Sequence, residues 1–400
     1  MWYLVIIALL ALFVSGLLYV SFRAADARFV RRLAKGRRGV ARAWCLAAFF
    51  AVFIVLCIVL NIMNALVMFV HLFLFWAICD GVAFAVSRIR RRKPTAAGEP
   101  AAPAAPATAA QTDAEPASRA AMTRREFAGG AALLLCGAYL GAGWVADHRV
   151  RATHYAFATD KLAGPVRIVQ ITDSHIGATF HAEGFAHYMD EISALSPDLI
   201  VVTGDFVDDD TTREDMLGAC AALGRVRASY GVFFVYGNHD KGYYPEEIRG
   251  WTNAEMRAAL EAAGVTVLED AAAVLPCGVT VVGRQDRSED AKGTPRATAA
   301  ALMAGVDRSA YVLMLDHQPA DFAAEAAAGP DLVLCGHTHG GQFIPIGLAG
   351  EALGINDRTY GHERRGGTDF IVSSGISNWT FRFKTGCFSE YVVIDLAGTR

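Results

Sequence analysis

The hydrophobic pattern divides the chain into two regions of different character. Residues 2–22 form an unbroken apolar run, long enough to cross a bilayer as a helix. Residues 43–86 are again almost wholly apolar, too long for one crossing, and Asn61 and Asn64 near the middle predict a tight turn between two helices. A further apolar run, 128–145, comes after the segment Thr123-Arg124-Arg125-Glu126-Phe127. Beyond it the pattern changes to short apolar stretches at 166–172, 197–203, 231–236, 311–315 and 331–335, which read as buried strands, with a helical segment at 183–195. The expected organisation is a three-helix transmembrane region with cytoplasmic basic loops (1–93), an Ala/Pro-rich linker (94–122), a fourth transmembrane helix (123–146) and an α/β domain (147–400).

Charge orients this plan. Arg23, Arg28, Arg31, Arg32, Lys35, Arg37, Arg38 and Arg42 follow the first apolar run, and Arg88, Arg90, Arg91, Arg92 and Lys93 follow the second. Positive charge stays in the cytoplasm, so the first helix runs outside to inside and the next two form a hairpin. The fourth helix then delivers everything after Ala146 to the extracytoplasmic face of a bacterial cytoplasmic membrane. The first run reads as a span and not a cleaved signal, since no basic segment precedes it and no small-residue site ends it. Arg124-Arg125 also resembles a twin-arginine export signal placed internally, which would make the export machinery a partner; a plain positive stop before a helix is the other reading. His71 and Asp80 at membrane depth are expected to serve helix packing or an interfacial position.

The hydrophobic fraction of 54% and charged fraction of 19% reflect the first 146 residues, and the net charge of −3 averages a basic start with a more acidic remainder. The basic clusters flank apolar helices, so no nucleic-acid partner is expected. None of the eight cysteines forms a Cys-x-x-Cys pair, which argues against a structural zinc knot. Buried thiols are expected, with a disulfide among Cys220, Cys277, Cys335 and Cys387 left open.

Chemistry gathers where the strands end. The five runs lead into Asp173-Ser174-His175, Gly204-Asp205-Phe206-Val207-Asp208, Gly237-Asn238-His239-Asp240, Asp316-His317 and Gly336-His337-Thr338-His339. In α/β sheets the crevice beyond the strand carboxyl ends is where ligands bind. Side chains at i and i+2 of an extended segment point to one side, so Asp173 and His175 can reach one ion. Carboxylate with imidazole suits Zn, Mn or Fe better than Ca. A single such histidine is usually structural; five clusters behind five strands argue for a site. Asp240 is expected to be a turn residue.

In this order the blocks resemble the calcineurin-like metallophosphoesterases over about residues 165–395, and the Gly-His-Thr-His-Gly-Gly-Gln block with the anchor looks most like the bacterial membrane-associated branch. The resemblance implies a β-sandwich flanked by helices and two divalent or mixed-valence ions, Mn, Fe or Zn. Asp173, His175 and His339 would hold the first ion, Asn238, His317 and His337 the second, and Asp205 both. Two such ions, roughly 3.5 Å apart, would clamp a phosphate and acidify a bridging water to hydroxide near neutral pH. His239 would face the leaving oxygen as general acid, and Asp208 would orient it. Two departures stand out: Asp209, then Asp210, where protein phosphatases of the superfamily carry arginine, and Ser374 where many relatives place arginine before Gly375, with Arg382 as a replacement. The implied function is phosphoester hydrolysis, diester ahead of monoester, on a membrane-near or lipid-linked substrate. The alternatives are an inactive metal-binding sensor or scaffold and, less well supported for want of internal repeats, a transporter.

Overall fold

The computed structural model describes residues 2–92, 122–344, 347 and 349–398. They fall in two compact units, Met1–Leu140 and Gly141–Arg400. The expected linker, 94–122, lies outside the described residues except for Met122.

The first unit is helical: α1 (Trp2–Ala25), α2 (Arg28–Leu33), α3 (Arg38–Val59), α4 (Ile62–Arg92) and most of α5 (Arg124–His148). Three helices, within α3, α4 and α5, are long and apolar enough to cross a membrane, and Leu10–Ala25 of α1 is a shorter apolar helix. The chain is therefore membrane-associated. The turn between α3 and α4 falls at Asn61, whose side chain accepts the Asn64 backbone N–H at 2.9 Å and caps the first turn of α4. Phe13, Phe53 and Phe69 interlock α1, α3 and α4, with ring centroids 4.5 and 5.6 Å apart for Phe13–Phe53 and Phe53–Phe69. Asp80 accepts from Tyr19 Oη at 2.6 Å and pairs with Arg23 of α1, and the His71 ring, whose Nδ1 lies 2.8 Å from the Val67 carbonyl oxygen of its own helix, stacks on Tyr139 of α5 with centroids 5.5 Å apart. Arg28 pairs with Glu126 at 3.0 Å and Arg125 with Asp26 at 3.4 Å, which brings the start of α5 beside the loop after α1.

The second unit takes its shape from strands. In chain order these are β1 (Arg151–Thr159), β2 (Val166–Ile171), β3 (Leu199–Thr203), β4 (Val232–Val235), β5 (Val265–Val267), β6 (Ala271–Val274), β7 (Val279–Gly283), β8 (Tyr311–Leu315), β9 (Leu332–Cys335), β10 (Gly361–Arg365), β11 (Thr368–Val372) and β12 (Glu390–Gly398). They form two six-stranded sheets, ordered β1-β12-β2-β3-β4-β5 and β10-β11-β9-β8-β7-β6. β2 to β5 are mutually parallel, as are β7, β8, β9 and β11. Strands of that kind are covered on both faces, which is why they read as continuous apolar runs.

Alternate residues of each run face different layers. Ile168, Val201, Phe233, Val281, Leu313 and Leu334 point into the space between the sheets. Val169, Val202 and Phe234 face the other way, onto α6 (Ala182–Ala194), α7 (Arg213–Arg225) and a later helix that begins at Asn253. Val282, Val312, Met314 and Phe370 are covered by Met303 and Phe322 from helices outside the second sheet. The result is a β-sandwich flanked by helices, as the resemblance implied. All eight cysteines are free thiols.

Candidate metal centre

The strand ends meet at one edge of the sandwich. Asp173 and His175 follow β2, Asp205 and Asp208 follow β3, Asn238 and His239 follow β4, His317 follows β8, and His337 and His339 follow β9. Both sheets thus contribute. The donor atoms of Asp173, His175 and His339 lie within 4.8 Å of one another, as do those of Asp205, His317 and His337, and those of His175, Asp208 and His239. Asp205 stands between the groups: Oδ2 is 3.1 Å from His317 Nε2 and 3.6 Å from His175 Nε2, while Oδ1 accepts the His239 backbone N–H at 2.9 Å.

The backbone is bent to achieve this. Asp173 (φ +52°), His175 (+36°), Asp205 (+51°), His337 (+71°) and His339 (+49°) all occupy left-handed conformations that cost non-glycine residues of order 1 kcal/mol or more each. Such strain persists only where surrounding contacts over-determine it. Two glycines permit the approach. Gly204, at φ +88°, leaves no room for a β-carbon against Gly237 and the His317 ring, and a β-carbon at Gly336 would collide with Thr172 Oγ1 and the Asp173 carboxylate. Asp240 takes the turn role expected of it, accepting the backbone N–H groups of Phe206 at 2.7 Å, Val207 at 3.1 Å and Gly237 at 2.7 Å, so it locks the Asp205 loop to the Asn238 loop.

Electrostatics tests whether cations fit. His317 Nδ1 lies 2.8 Å from the Thr203 carbonyl, which can only accept, so that nitrogen carries the proton. Nε2 then faces Asp205 Oδ2 at 3.1 Å and Asn238 Oδ1 at 3.1 Å. Asn238 is turned that way because its Nδ2 donates to Tyr243 Oη at 2.8 Å. Burial opposes charge on His317, but Asp205 raises its pKa well above the ordinary value, so this spot demands positive charge. Burial likewise opposes the Asp205 carboxylate, yet His317 and His175 hold it well below the usual carboxylate range. His337, pushed down to about 4 by burial and by His317, and His339, pushed well down by burial and His175, are neutral imidazoles suited to ligation. Both ring nitrogens of His175, with Nδ1 of His337 and of His339, are buried without a hydrogen-bond partner. Convergent oxygen and imidazole lone pairs with orphaned buried nitrogens are what divalent cations satisfy, and the residues present fit a two-ion centre.

His239 sits at the rim of this cluster. Its Nδ1 is 2.9 Å from Asp208 Oδ1, and the other Asp208 oxygen lies 3.3 Å from His175 Nδ1, so Asp208 touches a predicted ligand as well as the predicted acid. Burial works against a charged His239, but the Asp208 contact raises its pKa above the ordinary value. Sequence reasoning missed two aromatic neighbours of this ring: Tyr243, with centroid 5.0 Å away, and Trp379, 5.2 Å away. Both are substantially exposed, and neither belongs to a motif; a Gly-Tyr-Tyr one residue after the Asn-His-Asp block was the available signal. Asp209, standing where related phosphatases have arginine, accepts the backbone N–H groups of Tyr243 and Tyr244 at 3.0 and 3.1 Å, so its carboxylate holds the loop that carries Tyr243. Arg382 lies in the same segment as Trp379, between Ile376 and β12.

Comparison with known proteins agrees with this geometry. Residues 166–341 match the family described as calcineurin-like phosphoesterase. An uncharacterized metallophosphoesterase of Campylobacter jejuni is 27% identical over 59% of this chain and 60% of its own length. One of Bacillus subtilis is 27% identical over 56% of this chain and 78% of its own. A transmembrane protein with metallophosphoesterase domain from Danio rerio is 28% identical over 45% of this chain and 42% of its own. The match to the Campylobacter protein, and to a similar one of Helicobacter pylori at 61%, leaves more than a third of those relatives unmatched. Residues 166–341, which hold every strand-end cluster described above, match the calcineurin-like phosphoesterase domain, and the resemblance drawn from the strand-end blocks falls on that domain.

Proposed function

We propose that the protein is a metal-dependent phosphoester hydrolase, acting on a phosphodiester at the outer face of a bacterial cytoplasmic membrane. The observation that carries the reading is the convergence of Asp173, His175, Asp205, Asn238, His317, His337 and His339 at one edge of the sandwich, with His239 beside them and hydrogen-bonded to Asp208. Asp173, His175 and His339 are the residues assigned to one ion and Asn238, His317 and His337 to the other, with Asp205 shared. Bound there, two divalent ions supply charge neutralisation for phosphoryl oxygens and a water acidified toward neutral pH.

The chain's own groups account for the rest. His239, protonated and aimed by Asp208, donates its proton to the departing alkoxide oxygen, which general acid catalysis rewards by roughly 10²–10⁴-fold. Tyr243 turns the Asn238 oxygen toward the centre, and Thr203 fixes the His317 tautomer. Asp209 is engaged with backbone where phosphatases present a cation, which supports a diester over a more highly charged monoester. A membrane-linked substrate is supported by the last turn of α5: Lys384 N–H bonds to the Gly143 carbonyl at 3.0 Å and Ser389 N–H to that of Ala146 at 3.0 Å, so the segment bearing Trp379 is rooted where a candidate span ends. The pairing of Arg28 with Glu126 supports a cytoplasmic start for α5 and an outer position for its far end, with Arg124-Arg125 offered to the twin-arginine machinery.

The test uses the full-length chain in detergent, stripped with chelator and supplied with Mn, Zn or Fe. Metal-restored hydrolysis of bis-p-nitrophenyl phosphate that Asp205→Asn abolishes is expected; tight metal binding without turnover would favour a metal-binding sensor. Efficient turnover of soluble nucleotides with none of phospholipid in mixed micelles would remove the membrane-linked substrate. Impermeant maleimide should label Lys292→Cys on intact cells, and label only after lysis would reverse the sidedness.

A further inference from the structure

A lysine is buried behind the centre with no carboxylate in contact with its ammonium, although Asp147, Asp173 and Glu390 act on it from farther away. Lys384 is fully buried, and among the described residues no carboxylate lies within the 4.0 Å of an ion pair with its ammonium. An unpaired buried charge is costly, so its surroundings must recover that cost through hydrogen bonds. They do so with backbone. Nζ donates to the carbonyl oxygens of Ser374 at 2.6 Å, Gly375 at 3.2 Å and Ser377 at 2.6 Å. Three carbonyls aimed at one point repel one another, and an ammonium with three N–H donors is the side chain that meets all three.

The segment so tied lies directly under Asp173. Gly375, at φ +78°, packs where a β-carbon would meet the Asp173 β-carbon. The Ile376 N–H bonds to the Thr172 carbonyl at 3.0 Å and the Ser377 N–H to the Asp173 carbonyl at 3.2 Å. Asp173 itself holds a left-handed conformation at φ +52°, which these bonds stabilise, and its carboxylate accepts the His337 N–H at 3.0 Å. The chain of contacts runs from the Lys384 ammonium through three carbonyls to the strained peptide that aims Asp173.

We propose that Lys384 is a positioning residue for the Asp173–His175–His339 metal site, acting through the 374–377 backbone and leaving the other site untouched. The inference rests on the two-ion reading above. Outer groups of this kind change metal affinity by roughly 10- to 100-fold when removed.

The experiment titrates Mn(II) into chelator-stripped full-length protein, by calorimetry, elemental analysis and electron paramagnetic resonance. The wild-type chain is expected to bind two ions with an exchange-coupled signal. Lys384→Met should weaken one ion by roughly 10- to 100-fold and leave the other within about 3-fold, with an uncoupled signal at limiting Mn. Adding His339→Ala to Lys384→Met should weaken the same ion further and spare the other, whereas adding His337→Ala should weaken the ion that Lys384→Met leaves in place. Val281→Ala, between the sheets, serves as control: a similar fall in melting temperature with both ions retained separates aiming from general stability. Both ions weakened equally, or neither, would overturn the proposal. So would loss of fold in Lys384→Met and in Lys384→Gln alike, since Lys384 would then be a general stability element. A wild-type chain that fails to bind two ions would instead sink the two-ion reading beneath it.

Discussion

Replacing Asp208 by asparagine separates the proposed proton-donating arm from the proposed metal-holding one. The carboxylate presents Oδ1 to His239 Nδ1 at 2.9 Å and Oδ2 toward His175 Nδ1 at 3.3 Å. Asparagine keeps the shape but removes the charge, and its amide can accept from only one ring. A hydrogen bond to a charged group contributes about 1.5–3 kcal/mol. If that difference is felt when His239 gives up its proton, the rate falls by roughly 10- to 150-fold, since about 1.36 kcal/mol is tenfold. The loss should depend on the leaving group. An alkyl ester needs protonation of its departing oxygen and should show the full effect, while an activated p-nitrophenyl ester needs little and should lose less than about 10-fold. The assay is kcat on both substrates, with metal content measured in parallel. Two ions retained with a leaving-group-dependent loss is the expected result. Equal losses on both esters, or loss of an ion from Asp208→Asn, would show that Asp208 works through His175 and refute the assignment to His239.

Contacts in the second unit give three further expected outcomes. Gly336→Ala drives a β-carbon into Thr172 and the Asp173 carboxylate, and should cost about 1–3 kcal/mol in thermal unfolding together with metal binding; an unchanged melting curve would contradict that close approach. Asp215 accepts the Ala182 N–H at 2.9 Å at the start of α6; burial raises its pKa, but this bond with those from His181 and Thr212 sets it below the ordinary 3.8 on balance. A depressed folded pKa stabilises above the unfolded value and is lost as pH falls through the folded one, so wild type should exceed Asp215→Asn by about 1 kcal/mol at neutral pH and converge with it below pH 3.8. A difference that grows on acidification would refute the sign. Chelation should lower the melting temperature of the second unit by roughly 5–10 °C, because a ligand at about 100 times its Kd stabilises by about 2.7 kcal/mol. Calorimetry with and without chelator checks this, and identical melts would speak against resident ions.

The sequence by itself determined the strands that carry the site, the long apolar helices and the residues at the strand ends. β2, β3, β4, β8 and β9 are parallel and covered on both faces, so each appears as an uninterrupted apolar run, and the residues just after each run necessarily stand at the crevice. Other strands stayed hidden, β7 and β11 among them, which are buried and parallel but lead into none of the five clusters. β1 and β10 lie at sheet edges with half-exposed alternating faces, and β12 enters the first sheet from the far end of the chain to pair with β1 and β2. Only the tertiary structure decided which groups aim the site. Tyr243 turning Asn238, Thr203 setting the His317 tautomer, Asp209 spent on backbone and Lys384 beneath Asp173 all act through positions that closing the two sheets brings together. A ligand's identity is local, carried by its side chain and its place at a strand end. Its aim is not, because the hydrogen bonds that hold a strained peptide come from whatever segments the packed sheets set beside it.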